Sequence, residues 1–298
     1  MISEHTKIAA LKKLPLFQGK AVKVTPFEAG FSASVFYVEV TQSNQAVSRT
    51  VAKYIADIDT SNNQLKNTEA FVQQLAANEG LAPNILFTNE QWIISQYIEG
   101  EMLSDVDAPI FSKITMLAEL TGRLQRISLP KGSPVAKLDV KAATLALTTE
   151  ARHLVDLTEV ENYLDTFEVR SKKLVLCHGD MNFNNIICGD NPYLIDFTTA
   201  CLAPIEYEIG MLLAINLIDS THSSKIIGVY NEVFKNNELI DVEMVTRYSV
   251  LATLINACWY LLQYHECKDA NLLNCCLAQF QYLDVVTGIP FSLTNKMR

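Results

Sequence analysis

The stretch from Leu176 to Phe197 constrains the fold of this chain most, because it places short apolar runs around a turn and between polar side chains. The apolar run Asn185–Cys188, the turn Gly189–Pro192 and the run Tyr193–Ile195 predict a β-hairpin. A hairpin returns the chain to the level at which it began. We therefore expect the residue that follows it, Asp196, to lie beside the polar loop that precedes it.

The polar residues of this stretch have the side chains that phosphoryl transfer requires. That reaction needs a carboxylate to orient and deprotonate an acceptor hydroxyl, and oxygen ligands for the Mg²⁺ that accompanies ATP. We interpret Asp180 as the catalytic base and Asn185 and Asp196 as metal ligands. His178 belongs to the same catalytic group, where it supports the loop rather than reacting. The alternative is a polar loop between strands in which these residues share no role.

The spacing of these residues resembles the aminoglycoside phosphotransferase and choline kinase family, whose pattern is H-x-D-x-x-x-x-N followed by a hairpin and I-D-[FW]. It is carried here by His178, Asp180, Asn185 and Ile195-Asp196-Phe197. Bacterial thiamine and choline kinases are the members that the sequence is nearest to in character. The resemblance implies ATP and Mg²⁺ as cofactors, with the nucleotide bound in a cleft between two lobes.

The family resemblance also implies the architecture. It is an α+β, two-lobed protein-kinase-like fold, with a small antiparallel-sheet N-terminal lobe that has one main helix and a larger, mostly helical C-terminal lobe. We expect the nucleotide-binding lobe at residues 1–99, a hinge at about 96–100, and the catalytic and substrate-binding lobe at 100–298.

A lysine and a glutamate in the first lobe form a candidate ion pair. Lys53 ends an apolar strand-like run, and Glu69 falls on the apolar stripe of the helix predicted to begin near Ser61 and to end before Gly80. A carboxylate on an inward face needs a cationic partner. We predict that Lys53 pairs with Glu69 and is thereby directed at the phosphates of ATP. A solvated lysine and a partly exposed glutamate remain the alternative.

Two further segments are candidates for binding the nucleotide. The small-residue loop with Gly30, Ser32 and Ser34 lies between two predicted strands, and its backbone N–H groups could face phosphates. It has a single glycine, so a plain hairpin turn is the alternative. The segment that contains Gln96 and Ile98 resembles the family's hinge, whose backbone groups bind the adenine edge.

Aromatic residues near the C-terminal end are candidates for the substrate side. Trp259, Tyr260 and Tyr264 lie on one predicted helix, and aromatic faces near a carboxylate bind organic cations. Ordinary core packing is the alternative. Glu208 is included with the substrate-side residues, and it matches the family position at which an acidic residue supports the catalytic loop.

The remaining elements are mostly helical. The uncharged stretch Tyr248–Tyr264 is short for a membrane span and predicts a buried helix. Residues 129–150 predict an irregular connector. The predicted helices lie at 109–127, 150–167, 205–218, 222–235, 241–265 and 269–287.

Composition excludes some classes of partner. The net charge of −9 and the pI near 5.1 argue against nucleic acid or an anionic membrane as the main partner. The seven cysteines form no C-x-x-C pair, and the N-terminus has no long apolar run, so we expect a cytoplasmic protein. Oligomeric state is not predicted.

Together these observations predict an ATP-dependent kinase that phosphorylates a hydroxyl of a small, cationic alcohol such as thiamine, choline or ethanolamine. An aminoglycoside or another sugar-like alcohol is the alternative acceptor. A nucleotide-binding pseudokinase module is a second alternative, which the complete set of catalytic residues disfavours. A protein kinase is disfavoured because Thr198 replaces the glycine of D-F-G.

Overall fold

The computed structural model describes residues 2–27, 34–41, 45–56, 63–168, 173–234 and 240–297. Its internal contacts divide the chain into two compact units. The first unit comprises Met1–Val106, Gly132–Pro134 and Ile186–Thr198. The second unit comprises Asp107–Lys131, Val135–Asn185 and Thr199–Arg298.

The first unit is built on a five-stranded antiparallel sheet with strand order β1-β2-β3-β5-β4. Its buried core includes Phe17, Phe36, Tyr54 and Trp92, together with Leu11 of the first helix. The strands are β1 (Ala21–Pro26), β2 (Ser34–Thr41), β3 (Val47–Tyr54), β4 (Ile85–Thr88) and β5 (Trp92–Gln96). The first three agree with the two strands predicted around the small-residue loop and with the strand-like run that contains Lys53.

Two helices accompany this sheet, α1 (Glu4–Lys12) and α2 (Asn63–Asn78). The second ends before Gly80, whose φ of +66° is readily adopted by glycine and stops the helix as predicted. The predicted start of this helix near Ser61 lies outside the described residues.

The hairpin of the central motif belongs to the first unit. It consists of β8 (Ile186–Cys188) and β9 (Pro192–Leu194), and β8 also pairs with the short β6 (Glu101–Met102). In addition, the backbone N–H of Leu194 donates to the Leu81 carbonyl at 2.7 Å. These hydrogen bonds explain why a segment that follows the catalytic loop in sequence groups with the N-terminal sheet. The expected lobe boundary near residue 100 stays a prediction.

The second unit is mainly helical. A two-stranded antiparallel pair, β7 (Leu174–Cys177) and β10 (Cys201–Pro204), flanks the hairpin segment in sequence. Its helices are α3 (Ile110–Gln125), α4 (Val140–Ala151), α5 (Thr158–Asp165), α6 (Ile205–Ile215), α7 (Ser223–Phe234), α8 (Val242–Cys267) and α9 (Ala270–Thr287). The last four agree with the predicted C-terminal helices.

The prediction for residues 129–167 was wrong in two places. The expected connector contains α4, whose N-terminus is capped by Asp139, which accepts the backbone N–H of Ala142 at 3.0 Å. The expected single helix after it is interrupted between α4 and α5, where the Asp156 carboxylate accepts the backbone N–H of Thr158. The Asp139 cap of α4 and the hydrogen bond of Asp156 with the first residue of α5 therefore lie at boundaries that the apolar pattern did not show.

Helix α8 spans 26 residues and is buried over most of its length, as expected for the uncharged stretch it contains. Within the described part of the chain, no helix is long and apolar enough to cross a membrane.

Candidate active site

Lys53 lies on β3 with its neighbours Ala52 and Tyr54 buried in the core on the opposite face. Its ammonium group donates to Glu69 Oε1 at 2.6 Å and to Asp196 Oδ1 at 2.8 Å. Burial lowers the pKa of Lys53, but the charges of Glu69 and Asp196 outweigh it and leave that pKa above its usual range. The lysine therefore stays charged between two carboxylates.

Glu69 lies on the inward face of α2 and is 2 % exposed, as its place on the apolar stripe predicted. Burial raises its pKa, and the charge of Lys53 opposes this shift. The predicted ion pair is thus present within the first unit. Its role in binding ATP phosphates stays a prediction.

Asp196 follows β9 after one intervening residue, Ile195, and has a φ of +61°, in the left-handed region that aspartate tolerates better than most residues. Its Oδ1 atom also accepts the hydroxyl proton of Thr198 at 2.5 Å. Thr198 in turn accepts a hydrogen bond from the Lys53 ammonium at 2.7 Å. The hairpin thus brings both Asp196 and Thr198 to Lys53, contacts that the sequence analysis did not predict.

The loop that starts at His178 presents Asp180 in the second unit. Asn182 Nδ2 donates to Asp180 Oδ1 at 3.0 Å, and Asn185 Nδ2 donates to Asp180 Oδ2 at 2.8 Å. Asn185 also donates to the Asp180 backbone carbonyl at 2.9 Å. Two amide groups therefore fix the orientation of the carboxylate, which a general base requires before it can meet an acceptor hydroxyl.

Glu208 anchors this loop from α6. Its Oε1 accepts the backbone N–H of His178 at 2.8 Å, and its Oε2 accepts that of Gly179 at 3.1 Å. Burial raises the pKa of Glu208 to about 7, although both backbone N–H groups lower it, and the charge of Asp180 adds to the rise. The side chain is fully buried, so its contacts are those of loop support rather than of a group open to a substrate.

Asn216 and Thr199 also hold the loop. Asn216 Oδ1 accepts the backbone N–H of Phe183 at 2.9 Å, and its Nδ2 donates to the Met181 carbonyl at 2.8 Å. The Thr199 hydroxyl donates to the His178 carbonyl at 2.9 Å. The sequence analysis missed both residues. The signal for Asn216 was an amide that directly follows the apolar run Ile209–Ile215.

The two proposed metal ligands have donor atoms that suit Mg²⁺. The amide nitrogen of Asn185 is committed to Asp180, so its carbonyl oxygen is the atom that it presents to another group. Asp196 supplies a carboxylate. Mg²⁺ takes oxygen ligands and is commonly held by one or two protein groups plus phosphate oxygens and water. The described residues contain no cluster of three or more His, Cys, Asp or Glu suited to a metal.

Of the remaining candidates for nucleotide binding, some lie within the described residues and others do not. Gly30 and Ser32 lie outside the described residues. Ser34 begins β2, and its hydroxyl accepts a hydrogen bond from Lys7 at 2.9 Å. Gln96 ends β5, and its backbone N–H donates to the Asn84 carbonyl at 2.8 Å.

Ile98 is half-buried in the segment after β5. Gly100 follows in the same segment, where an added Cβ would lie 2.4 Å from the Cys188 carbonyl oxygen. The segment therefore runs close against β8. The adenine-binding role of Gln96 and Ile98 stays a prediction.

The three aromatic candidates of α8 are half-buried and differ in surroundings. The rings of Trp259 and Tyr260 meet edge to face, with centroids 5.3 Å apart. Burial raises the pKa of Tyr260, and the charges of Cys275 and Asp180 raise it further. Tyr264 already has the ammonium of Lys268 over its ring, 5.3 Å from the centroid. Asp180 is thus one of the charged groups that act on Tyr260.

The sequence profile of the phosphotransferase enzyme family matches residues 23–234. The chain belongs to this family. The predicted enzyme class, a phosphotransferase that acts on hydroxyl groups, is thereby confirmed. A search of curated protein sequences finds no significant match.

Solved structures show the same fold at low sequence identity. A choline/ethanolamine kinase family protein from Mesorhizobium loti aligns with a TM-score of 0.68 and 15 % identity, over 96 % of this chain and 95 % of that one. Choline kinase from Cryptosporidium parvum Iowa II gives 0.69 and 13 %, over 96 % of each chain. A spectinomycin phosphotransferase in complex with ADP and spectinomycin gives 0.58 and 12 %, over 96 % and 98 %. The predicted two-lobed protein-kinase-like fold is confirmed.

Proposed function

We propose that this protein transfers the γ-phosphoryl group of ATP to a hydroxyl of a small, cationic alcohol of the thiamine, choline or ethanolamine type. The observation that carries the proposal is the Lys53 ammonium held between Glu69 and Asp196 at 2.6 and 2.8 Å. This is the Lys–Glu and aspartate arrangement that positions phosphates for transfer in protein-kinase-like enzymes. The choline kinases and the ADP-bound phosphotransferase among the structural neighbours support the same assignment.

In the proposed reaction the residues of this chain have separate tasks. Lys53 binds phosphate oxygens of the nucleotide and is oriented by Glu69. Asp180 orients the acceptor hydroxyl and takes its proton, with its carboxylate held by Asn182 and Asn185. Asp196 and Asn185 are the residues that would hold Mg²⁺, which would supply positive charge to neutralise the phosphates.

The proposal that the acceptor is cationic rests on the negative charge of the protein and on the surroundings of Tyr260. The Asp180 carboxylate and the half-buried Tyr260 lie within electrostatic reach of each other in the second unit. An anion beside an aromatic ring favours a cationic organic group. The acidic overall charge of −9 points in the same direction. An aminoglycoside or a related sugar-like alcohol, which also carries amines, is the second candidate.

The proposal is tested by measuring ATP consumption with Mg²⁺ against thiamine, choline, ethanolamine, aminoglycosides, homoserine and simple sugars. We expect one class of cationic alcohol to stimulate turnover and Asp180→Asn to reduce it by about 10²–10⁴-fold. Asp190→Asn, the same change at an exposed turn of the hairpin, is the matched control and should leave turnover unchanged. Turnover by the Asp180→Asn variant within tenfold of wild type would remove Asp180 as the base. ATP binding without turnover on any acceptor would instead favour a nucleotide-binding module.

A further inference from the structure

The Lys53 ammonium has three acceptors within the first unit, and they differ in kind. Two are carboxylate oxygens, from Glu69 at 2.6 Å and from Asp196 at 2.8 Å. The third is the neutral hydroxyl of Thr198 at 2.7 Å. An ammonium group carries three N–H donors, so each donor is matched by one acceptor.

The Thr198 hydroxyl has a fixed direction in this cluster. A hydroxyl has a single proton, and that of Thr198 is directed at carboxylates, with Asp196 Oδ1 at 2.5 Å and Glu69 also interacting with the hydroxyl. Its oxygen therefore accepts from Lys53 and does not compete with it as a donor. The backbone N–H of Thr198 also donates to Asp196 Oδ1, at 3.4 Å. Thr198 is thus bound to both charged partners at once.

A phosphate oxygen can accept a hydrogen bond from the Lys53 ammonium only by replacing one of these three acceptors. Hydrogen bonds between an ammonium and a carboxylate are roughly twice as strong as those in which one partner is neutral and are reinforced by charge attraction. The carboxylate of Glu69 is also buried, so losing its cation would leave an uncompensated charge. The bond to Thr198 is therefore the least costly of the three to exchange.

We propose that Thr198 is a positioning residue whose hydroxyl occupies the acceptor place on Lys53 that a nucleotide phosphate takes over, so that it sets the affinity for the nucleotide. The inference rests on the proposed function, because it takes Lys53 as the phosphate-binding lysine. It concerns a position where the sequence departs from the glycine of D-F-G. No role for this threonine followed from the motif.

The test compares three substitutions at Thr198 by calorimetric titration with a non-hydrolysable ATP analogue in the presence of EDTA. Thr198→Val preserves the shape and removes the hydroxyl, so phosphate binding no longer displaces a hydrogen bond. We expect the analogue to bind about three- to tenfold more tightly than to wild type. Thr198→Ser keeps the hydroxyl and should bind within about twofold of wild type. Thr198→Ala, a smaller hydroxyl-free variant, should follow Thr198→Val.

Thr41→Val, at the exposed far end of β2, is the control for a threonine-to-valine change in the same unit. Thermal unfolding of each variant shows whether it is folded, and Thr198→Ala replaces Thr198→Val if the latter is not. Unchanged or weaker binding by the hydroxyl-free variants would overturn the role of Thr198 alone. Equal tightening by Thr198→Ser would show that the hydroxyl is not responsible. Wild-type protein that binds no analogue, with or without Mg²⁺, would overturn the proposed function together with this inference.

Discussion

The Oε1 atom of Glu208 accepts the backbone N–H of His178 at 2.8 Å, although both residues are fully buried. The second carboxylate oxygen accepts the N–H of Gly179. A single acidic side chain from α6 thereby fixes the two residues that lead into Asp180. The geometry of the proposed catalytic loop therefore depends on a carboxyl group whose ionisation is disfavoured by burial.

The ionisation of Glu208 predicts a pH-dependent contribution to stability. Its pKa rises from 4.5 to about 7 on folding, so the native state keeps a proton that the unfolded chain has lost over that range. The contribution of the Glu208 proton to the unfolding free energy is therefore complete below about pH 4.5. It is lost as the pH rises through about 7. The unfolding free energy of wild type relative to Glu208→Gln should therefore fall by on the order of 2 kcal/mol between about pH 5 and about pH 8.

Urea unfolding at several pH values measures this difference. Glu79→Gln, the same change at an exposed position, controls for the removal of one carboxylate. A wild-type advantage over Glu208→Gln that grows with pH would contradict the raised pKa.

At Gly179 we expect that no side chain is tolerated. Its φ is +79°, and an added Cβ would lie 2.4 Å from the Thr199 carbonyl oxygen. Gly179→Ala should therefore cost more than the roughly 1 kcal/mol of an ordinary glycine position with positive φ, on the order of 3 kcal/mol, and should reduce turnover by displacing Asp180.

Gly132→Ala is the matched control, because Gly132 has a φ of +81° with open space around its Cβ position. Unfolding free energies and kcat of both variants separate backbone strain from the clash. Equal losses in the two variants would show that Thr199 can move aside.

In the Lys53 cluster, we expect the effect of a substitution on stability to be separable from its effect on the KM for ATP. Lys53→Met leaves Glu69, which is 2 % exposed, without its cation, so we expect a loss of about 3 kcal/mol and at least a tenfold rise in the KM for ATP. Adding Glu69→Gln removes the buried charge and should restore much of the stability, but not the KM.

Lys23→Met is the control for this pair, since Lys23 is largely exposed and its ion pair with Glu39 lies on the surface. Thermal unfolding and ATP titration of the single and double variants make the comparison. Recovery of the KM by the double variant would argue against Lys53 as a phosphate ligand.

The sequence predicted those parts of the site that repeat a local pattern. The hairpin after Asn185 followed from two apolar runs and a turn, and the Lys53–Glu69 pair followed from a carboxylate on an apolar helix stripe. The last four helices lie within three residues of their predicted bounds. In each case the information lies within one or two neighbouring elements.

The residues that the sequence did not reveal act through contacts between distant segments. Asn216 holds a loop that lies about thirty residues earlier in the chain, and nothing near it in sequence indicates that contact. Thr198 was noted only as a departure from the motif, and its bond to Lys53 spans 145 positions. Glu208 was predicted to support the loop, but its complete burial and raised pKa depend on how α6 packs.

The coupling between Tyr260 and Asp180 predicts which aromatic residue of α8 contacts the acceptor. Asp180 contributes to the raised pKa of the Tyr260 phenol, whereas the ring of Tyr264 already lies under Lys268. Tyr260→Phe should therefore raise the KM for the acceptor about fivefold, the loss of one hydrogen bond, and leave the KM for ATP unchanged.

Tyr264→Phe is the matched control and should change neither constant. Steady-state kinetics with the acceptor found by the substrate panel distinguish the two variants. A Tyr260→Phe protein that loses thermal stability but keeps its acceptor KM would assign this ring to core packing, and the substrate side would then lie elsewhere in the second unit.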